Sequence, residues 1–62
     1  MYINLINTRK AMSLTIFDMS EIISKSPATY YKKENGEVAT TVDEALLIAK
    51  KLNCSVEYLF DI

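Results

Sequence analysis

The one proline and the one glycine of this 62-residue chain bracket a single short segment, Pro27 to Gly36. Nothing else in the sequence limits the architecture as much. Ser26-Pro27 is a helix start: the serine hydroxyl accepts from a free amide of the first turn, and proline stands where its missing N–H costs nothing. Asn35-Gly36 is a helix stop, because glycine readily takes the left-handed conformation that ends helices. The helix so defined carries Tyr30, Tyr31, Lys32 and Lys33, with no acid before Glu34. Just upstream, Thr15 caps another short helix, with Asp18 at the reciprocal capping-box position. That helix ends near Ile23 or Ser24, and Met19, Ile22 and Ile23 form its buried stripe.

The rest of the chain reads as support for these two helices. A first helix runs from about Ile3 to Met12, with Leu5, Thr8, Arg9 and Met12 on one stripe and Ile6 beside them. Ser13 loosens its end. Tyr30 must face inward to meet the second helix, which leaves Ala28, Thr29, Tyr31 and Lys32 on the outer surface. Glu37 to Thr40 is a short loop. Thr41 and Glu44 make a second capping box for a fourth helix, whose inward stripe is Val42, Ala45, Ile48, Ala49 and Leu52. Asn53 ends it. Ser55 caps a last turn, Val56 to Phe60, where Leu59 and Phe60 close the core. With no strand alternation, repeat or low-complexity segment, the chain is all-α: a compact five-helix bundle in a single domain, residues 1–62.

Composition narrows the class. Half the residues are hydrophobic, too many for a disordered tail. A chain this small buries little more apolar surface than ordering it requires, so close helix packing or self-association should help. No apolar run approaches the roughly 20 residues needed to cross a bilayer, and the N-terminus lacks a charged-then-apolar signal pattern. Cys54 is the only cysteine, which excludes an internal disulfide and points to a reducing cytoplasm. It reads as a small packed hydrophobe. With no histidine in the chain and no glycine-rich phosphate cradle, the sequence offers no catalytic site, metal site or cofactor site.

The net charge of −1 is unlike the basic balance usual for nucleic-acid binding, but the charges are unevenly placed. From Arg9 to Lys33, five basic residues face two acids, giving +3; from Glu34 to Ile62, two lysines face six acids, giving −4. A positive half holding the candidate reading helix can meet phosphate while the acidic half faces away. Two short capped helices with a few residues between them are the pattern of a helix-turn-helix, whose second helix enters a DNA groove. Modest, strongly salt-sensitive affinity is expected.

Several stretches then resemble the phage repressor and Cro type of helix-turn-helix domain, the XRE-like or lambda-repressor-like family. They are Leu14-Thr15 with Met19-Ser20, Ser26 to Thr29, Glu34-Asn35-Gly36, and the closing segment Ile48 to Phe60. The resemblance spans about Leu5 to Phe60, and it is the mutual spacing that carries it. It implies a five-helix domain binding pseudo-palindromic operators as a dimer, with the third helix in the major groove and the second crossing the backbone. It also implies an internal ion pair between Arg9 and Glu34. Three positions depart from the family pattern: Ile16, followed by Phe17, replaces a glutamine able to bond phosphate or base; Ser24 replaces the turn glycine; Leu47 replaces a polar residue.

Lys32 and Thr29 are the first candidates for base edges, with Ala28 able to meet a thymine methyl. Lys25, Lys33, Lys10 and the Tyr31 hydroxyl are candidates for phosphate. Ile16, Phe17, Leu47, Tyr58 and Ile62 are more apolar than a solitary surface requires, and suggest a partner or dimer face. The expected function is a small transcriptional regulator that occupies double-stranded operator DNA as a homodimer. A competing reading, motivated by the near-neutral charge and the extra apolar residues, is an interaction module that binds a partner repressor protein rather than DNA.

Overall fold

The computed structural model describes residues 1–62 as five helices: α1 (Ile3–Ala11), α2 (Ile16–Ile22), α3 (Pro27–Glu34), α4 (Val42–Leu52) and α5 (Val56–Phe60). Four of them begin with a hydroxyl in extended backbone. Thr15, Ser26, Thr41 and Ser55 accept from the amides of Asp18, Thr29, Glu44 and Tyr58, and the Thr15 and Thr41 caps are full capping boxes. α1 has no side-chain cap. Its start is tied down instead by the Tyr2 amide, which donates to the Glu34 carbonyl at 3.1 Å.

The helix ends share one device. Ser13, Ser24, Gly36, Asn53 and Asp61 all take positive φ, between 55° and 81°. After each, the next amide donates back to a carbonyl five residues earlier: Leu14 to Arg9, Lys25 to Ser20, Glu37 to Lys32, Cys54 to Ala49 and Ile62 to Glu57. These bonds satisfy carbonyls that a helix end leaves bare. Only Gly36 reaches this conformation without a steric cost. At Ser24, where the family pattern has glycine, serine takes the left-handed geometry itself, with φ 56°.

Leu5, Met19, Ile23, Tyr30, Ile48, Ala49, Leu52 and Leu59 form the buried core. α3 packs on α2, α1 on α5, and α4 touches both α2 and α5. Tyr2 and Phe60 close one end edge to face, ring centroids 5.0 Å apart.

Three apolar positions are not where the sequence places them. Val42 is 75% exposed, because the inward face of α4 is set by Glu44, Ala45, Ile48, Ala49 and Leu52, and the first residue of the helix is turned away from it. Met12 is exposed where the chain leaves the axis of α1. Ile16, a candidate for a partner surface, is half-buried and packed against the core.

Candidate nucleic-acid interface

The α3 sequence divides along a helical stripe. Tyr30, Lys33 and Glu34, at three- and four-residue spacing, are buried, while Ala28, Tyr31 and Lys32 are exposed on the opposite side. Thr29 sits between the two faces, half-buried. Its amide and hydroxyl are both engaged with the cap: the amide donates to Ser26 Oγ at 3.2 Å, and Ser26 Oγ donates to Thr29 Oγ1 at 3.0 Å. With Ser26 as donor to Thr29 Oγ1, the Thr29 hydroxyl proton is not used within the cap.

Two charge clusters hold the inner face. In the first, Arg9 from α1 grips Glu34 with two bonds, Nε to Oε2 at 2.9 Å and Nη2 to Oε1 at 3.1 Å. Arg9 Nη1 also donates to the Leu14 carbonyl, and the Tyr30 hydroxyl donates to Glu34 Oε2 at 2.7 Å. Planar, two-pronged geometry of this kind is the strongest that an arginine and a carboxylate can make. Burial first, and then the hydrogen bond to Glu34 and its negative charge, push the Tyr30 hydroxyl far above its ordinary ionisation range. It stays a donor at every working pH. The ion pair implied by the family resemblance is present in this geometry.

The second cluster overturns one expectation. Lys33, a phosphate candidate by sequence, is only 6% exposed. Its ammonium donates to Glu44 Oε1 and to the Ala39 carbonyl, both at 2.8 Å. Glu44 Oε1 also accepts from the Thr41 amide, so one carboxylate caps α4 and neutralises α3 at once. Burial opposes the Glu44 charge, but the Lys33 bond and the Thr41 amide outweigh it and hold the carboxyl below its ordinary value. Two of its three N–H donors are used inside the bundle, and a lysine held this deep does not reach a phosphate. The spacing is the available signal: Lys33 lies three residues after inward Tyr30 and is carried to the same face.

These pairings change the surface charge. Once Arg9, Lys33, Glu34 and Glu44 are paired and buried, the first half exposes Lys10, Lys25 and Lys32 against Asp18 and Glu21, a net +1. The second half exposes Lys50 and Lys51 against Glu37, Asp43, Glu57 and Asp61, a net −2. The polarity survives in sign and shrinks in size. Lys25 stands exposed in the turn between α2 and α3, and Lys10 is exposed in the last turn of α1.

The apolar candidates are spread over several elements. Phe17 is 67% exposed on α2, Leu47 lies on the outer side of α4, and Tyr58 is exposed on α5. Ile62 lines an open groove of about 510 Å³ with Tyr2, Val42, Leu46, Val56 and Phe60. Nothing in the sequence singles out Leu46, although it is more exposed than Leu47. No helix is long and apolar enough to cross a membrane.

A short capped helix, a four-residue turn and a second capped helix with a polar outer face define a helix-turn-helix domain. A family model described as helix-turn-helix matches residues 5–59, nearly the whole bundle, and the chain belongs to that XRE-like family of DNA-binding regulators. No curated protein and no solved structure gives a significant match.

Proposed function

We propose that the chain is a small transcriptional regulator of the Cro or repressor type, which binds operator DNA as a homodimer with α3 in the major groove. The observation that supports this most is the division of α3. Ala28, Tyr31 and Lys32 are open to solvent, while Tyr30, Lys33 and Glu34 fix the helix to the bundle. Lys32 then donates to guanine O6 and N7, Ala28 meets a thymine methyl, and the Thr29 hydroxyl reaches a base edge. Lys25, Lys10 and Tyr31 contact phosphate and set register. With so few exposed cations, binding is modest and falls steeply with salt.

The test is a salt series of mobility shifts or fluorescence anisotropy on DNA from the neighbouring promoter. Lys32→Ala should lose about 1–3 kcal/mol on the preferred site and discriminate less between sequences. Lys25→Ala should weaken all sequences alike and lower the salt slope by about 1. If both variants bind at low salt as the parent does, α3 is not the reading helix.

A second reading has its own support in the apolar groove beside Ile62 and in Phe17, exposed where the family has a residue next to its phosphate-binding glutamine. There the domain binds a partner repressor and modulates it. Tight binding to a protein partner, with no shift of DNA by the domain alone, would select it.

A further inference from the structure

α4 presents an outer face that nothing in the bundle uses. Its centre is Asp43, Leu46, Leu47 and Lys50, at positions i, i+3, i+4 and i+7, and all four are exposed. The two leucines remain 56% and 48% exposed, flanked by one acid and one base. The helix dipole accounts for an acid in the first turn and a lysine in the last. It does not account for two leucines between them.

Neither charge is answered within the chain. Seven residues of helix separate Asp43 from Lys50 by roughly 10 Å, too far for a direct pair. The ion pairs of the bundle are Arg9–Glu34 and Lys33–Glu44. Glu57 shares a shallow recess with Lys50 without reaching ion-pair distance. The neighbouring Lys51, by contrast, faces Asp18 and Glu21 across a small recess and lowers the Asp18 carboxyl slightly, after the larger effect of the Thr15 hydrogen bonds.

The order acid, leucine, leucine, base is its own complement when reversed. We infer that α4 pairs antiparallel with α4 of a second copy, about a two-fold axis passing between Leu46 and Leu47. That axis sets Asp43 of each copy opposite Lys50 of the other, and Leu46 of each opposite Leu47 of the other. An isologous contact needs this self-complementarity: any residue facing a partner position must also be faced by it. A parallel pairing would set Asp43 against Asp43 and Lys50 against Lys50. Charge complementarity therefore selects both the occupant, a second copy, and its direction. The contact is short, about 10 Å of helix, so it falls in the small, transient class of interfaces and populates fully only at high concentration or when DNA holds both copies. This inference builds on the homodimer reading and supplies its surface; it does not depend on recognition of DNA.

The experiment is sedimentation velocity on the whole chain, without DNA, over a concentration series reaching about 1 mM, high enough to populate a weak dimer. The parent is expected to shift from monomer to dimer. Asp43→Lys and Lys50→Asp each replace two attractive contacts per dimer by two repulsive ones, and each should weaken self-association by roughly tenfold or more. The double variant Asp43→Lys/Lys50→Asp restores complementarity and should recover the parent's association, although both changes oppose the helix dipole and lower the melting temperature in sum. An equimolar mixture of the two single variants should also dimerise, since one chain then offers two lysines and the other two aspartates. A parent that stays monomeric throughout overturns the proposal. So does a dimer that ignores the single reversals, or a double variant no better than either single one. Anisotropy on a DNA half-site, run with the same variants, keeps the functional reading separate: half-site binding unchanged with dimerisation lost leaves it standing, and loss of half-site binding with intact association removes it alone.

Discussion

α3 and α4 are neighbours in one small bundle, yet they are held by different forces. α4 turns Ala45, Ile48, Ala49 and Leu52 into the core, and hydrocarbon fixes it. α3 sends in one apolar side chain, Tyr30, and completes its inner face with Lys33 and Glu34. The contrast follows from what each helix leaves outside. A helix of eight residues that keeps Ala28, Tyr31 and Lys32 free has room for little hydrocarbon underneath. Buried ion pairs add little net stability compared with well-packed apolar residues. What they supply is direction: a two-pronged Arg9–Glu34 contact on one side and Lys33–Glu44 on the other fix the rotation of α3 about its own axis. Tyr30 supplies the apolar contact of α3, and the two ion pairs supply the polar ones on either side of it.

The largest effect should come from breaking the stronger clamp. Arg9→Leu strands the Glu34 carboxylate, which is only 2% exposed. Removing one partner of such a pair costs about 3–5 kcal/mol, a large part of what a domain this size has. Urea or thermal unfolding should find the variant largely unfolded at room temperature. Ile48→Val in α4 should lose only about 0.5–1.5 kcal/mol. Arg9→Leu combined with Glu34→Leu should recover part of the loss, because no unpaired charge is then buried, while the Tyr30 hydroxyl still loses its acceptor. Equal costs for the single and double variants would mean that α3 is not clamped by paired charge.

Acid separates the two modes of attachment more gently. The Glu44 carboxyl is held below its ordinary value by Lys33 and Thr41, against the opposing effect of burial. A carboxyl depressed in the folded state contributes stability that is fully present above its unfolded value, and is lost as pH falls through the folded one. Unfolding free energy should therefore decline from about pH 5 towards pH 3. Lys33→Met, which removes the main cause of the depression, should flatten that decline as well as lower stability at neutral pH. Ile48→Val should shift the curve without changing its slope.

Much of this arrangement is legible in the sequence, and what is not has a physical cause. The starts of α2, α3, α4 and α5 rest on Thr15, Ser26, Thr41 and Ser55, each bonded to an amide three residues away, so a local reading finds them. The outer face of α3 follows from Tyr30 once that side chain is turned inward. Lys33 escapes a local reading because its partner, Glu44, lies eleven residues further on, on another helix, and because Glu44 already has an explanation as a cap. Lysine is so seldom buried that helical spacing alone does not overcome the expectation of exposure. The clustering of Val42 and Leu46 at the groove is hidden too, since it depends on where α5 and Ile62 come to rest.

The smallest effect tests the turn that joins α2 to α3. Ser13, Ser24 and Asn53 all carry a left-handed backbone, with φ of 57°, 56° and 55°. For an L-residue this conformation costs roughly 1–2 kcal/mol, and asparagine bears it best because its short polar side chain bonds locally. Glycine removes that cost but adds freedom to the unfolded chain, which returns about 0.4–1 kcal/mol of it. Ser24→Gly should therefore gain about 0.5–1 kcal/mol, a rise of a few degrees in melting temperature. Ser13→Gly should match it, and Asn53→Gly should gain less. The position of Ser24 makes its gain informative about α3. It precedes Lys25 and the cap at Ser26, so a gain in stability with unchanged DNA affinity would mean that the ion pairs alone set the angle of α3. A gain accompanied by altered affinity would mean that the strained serine shares in aiming the helix.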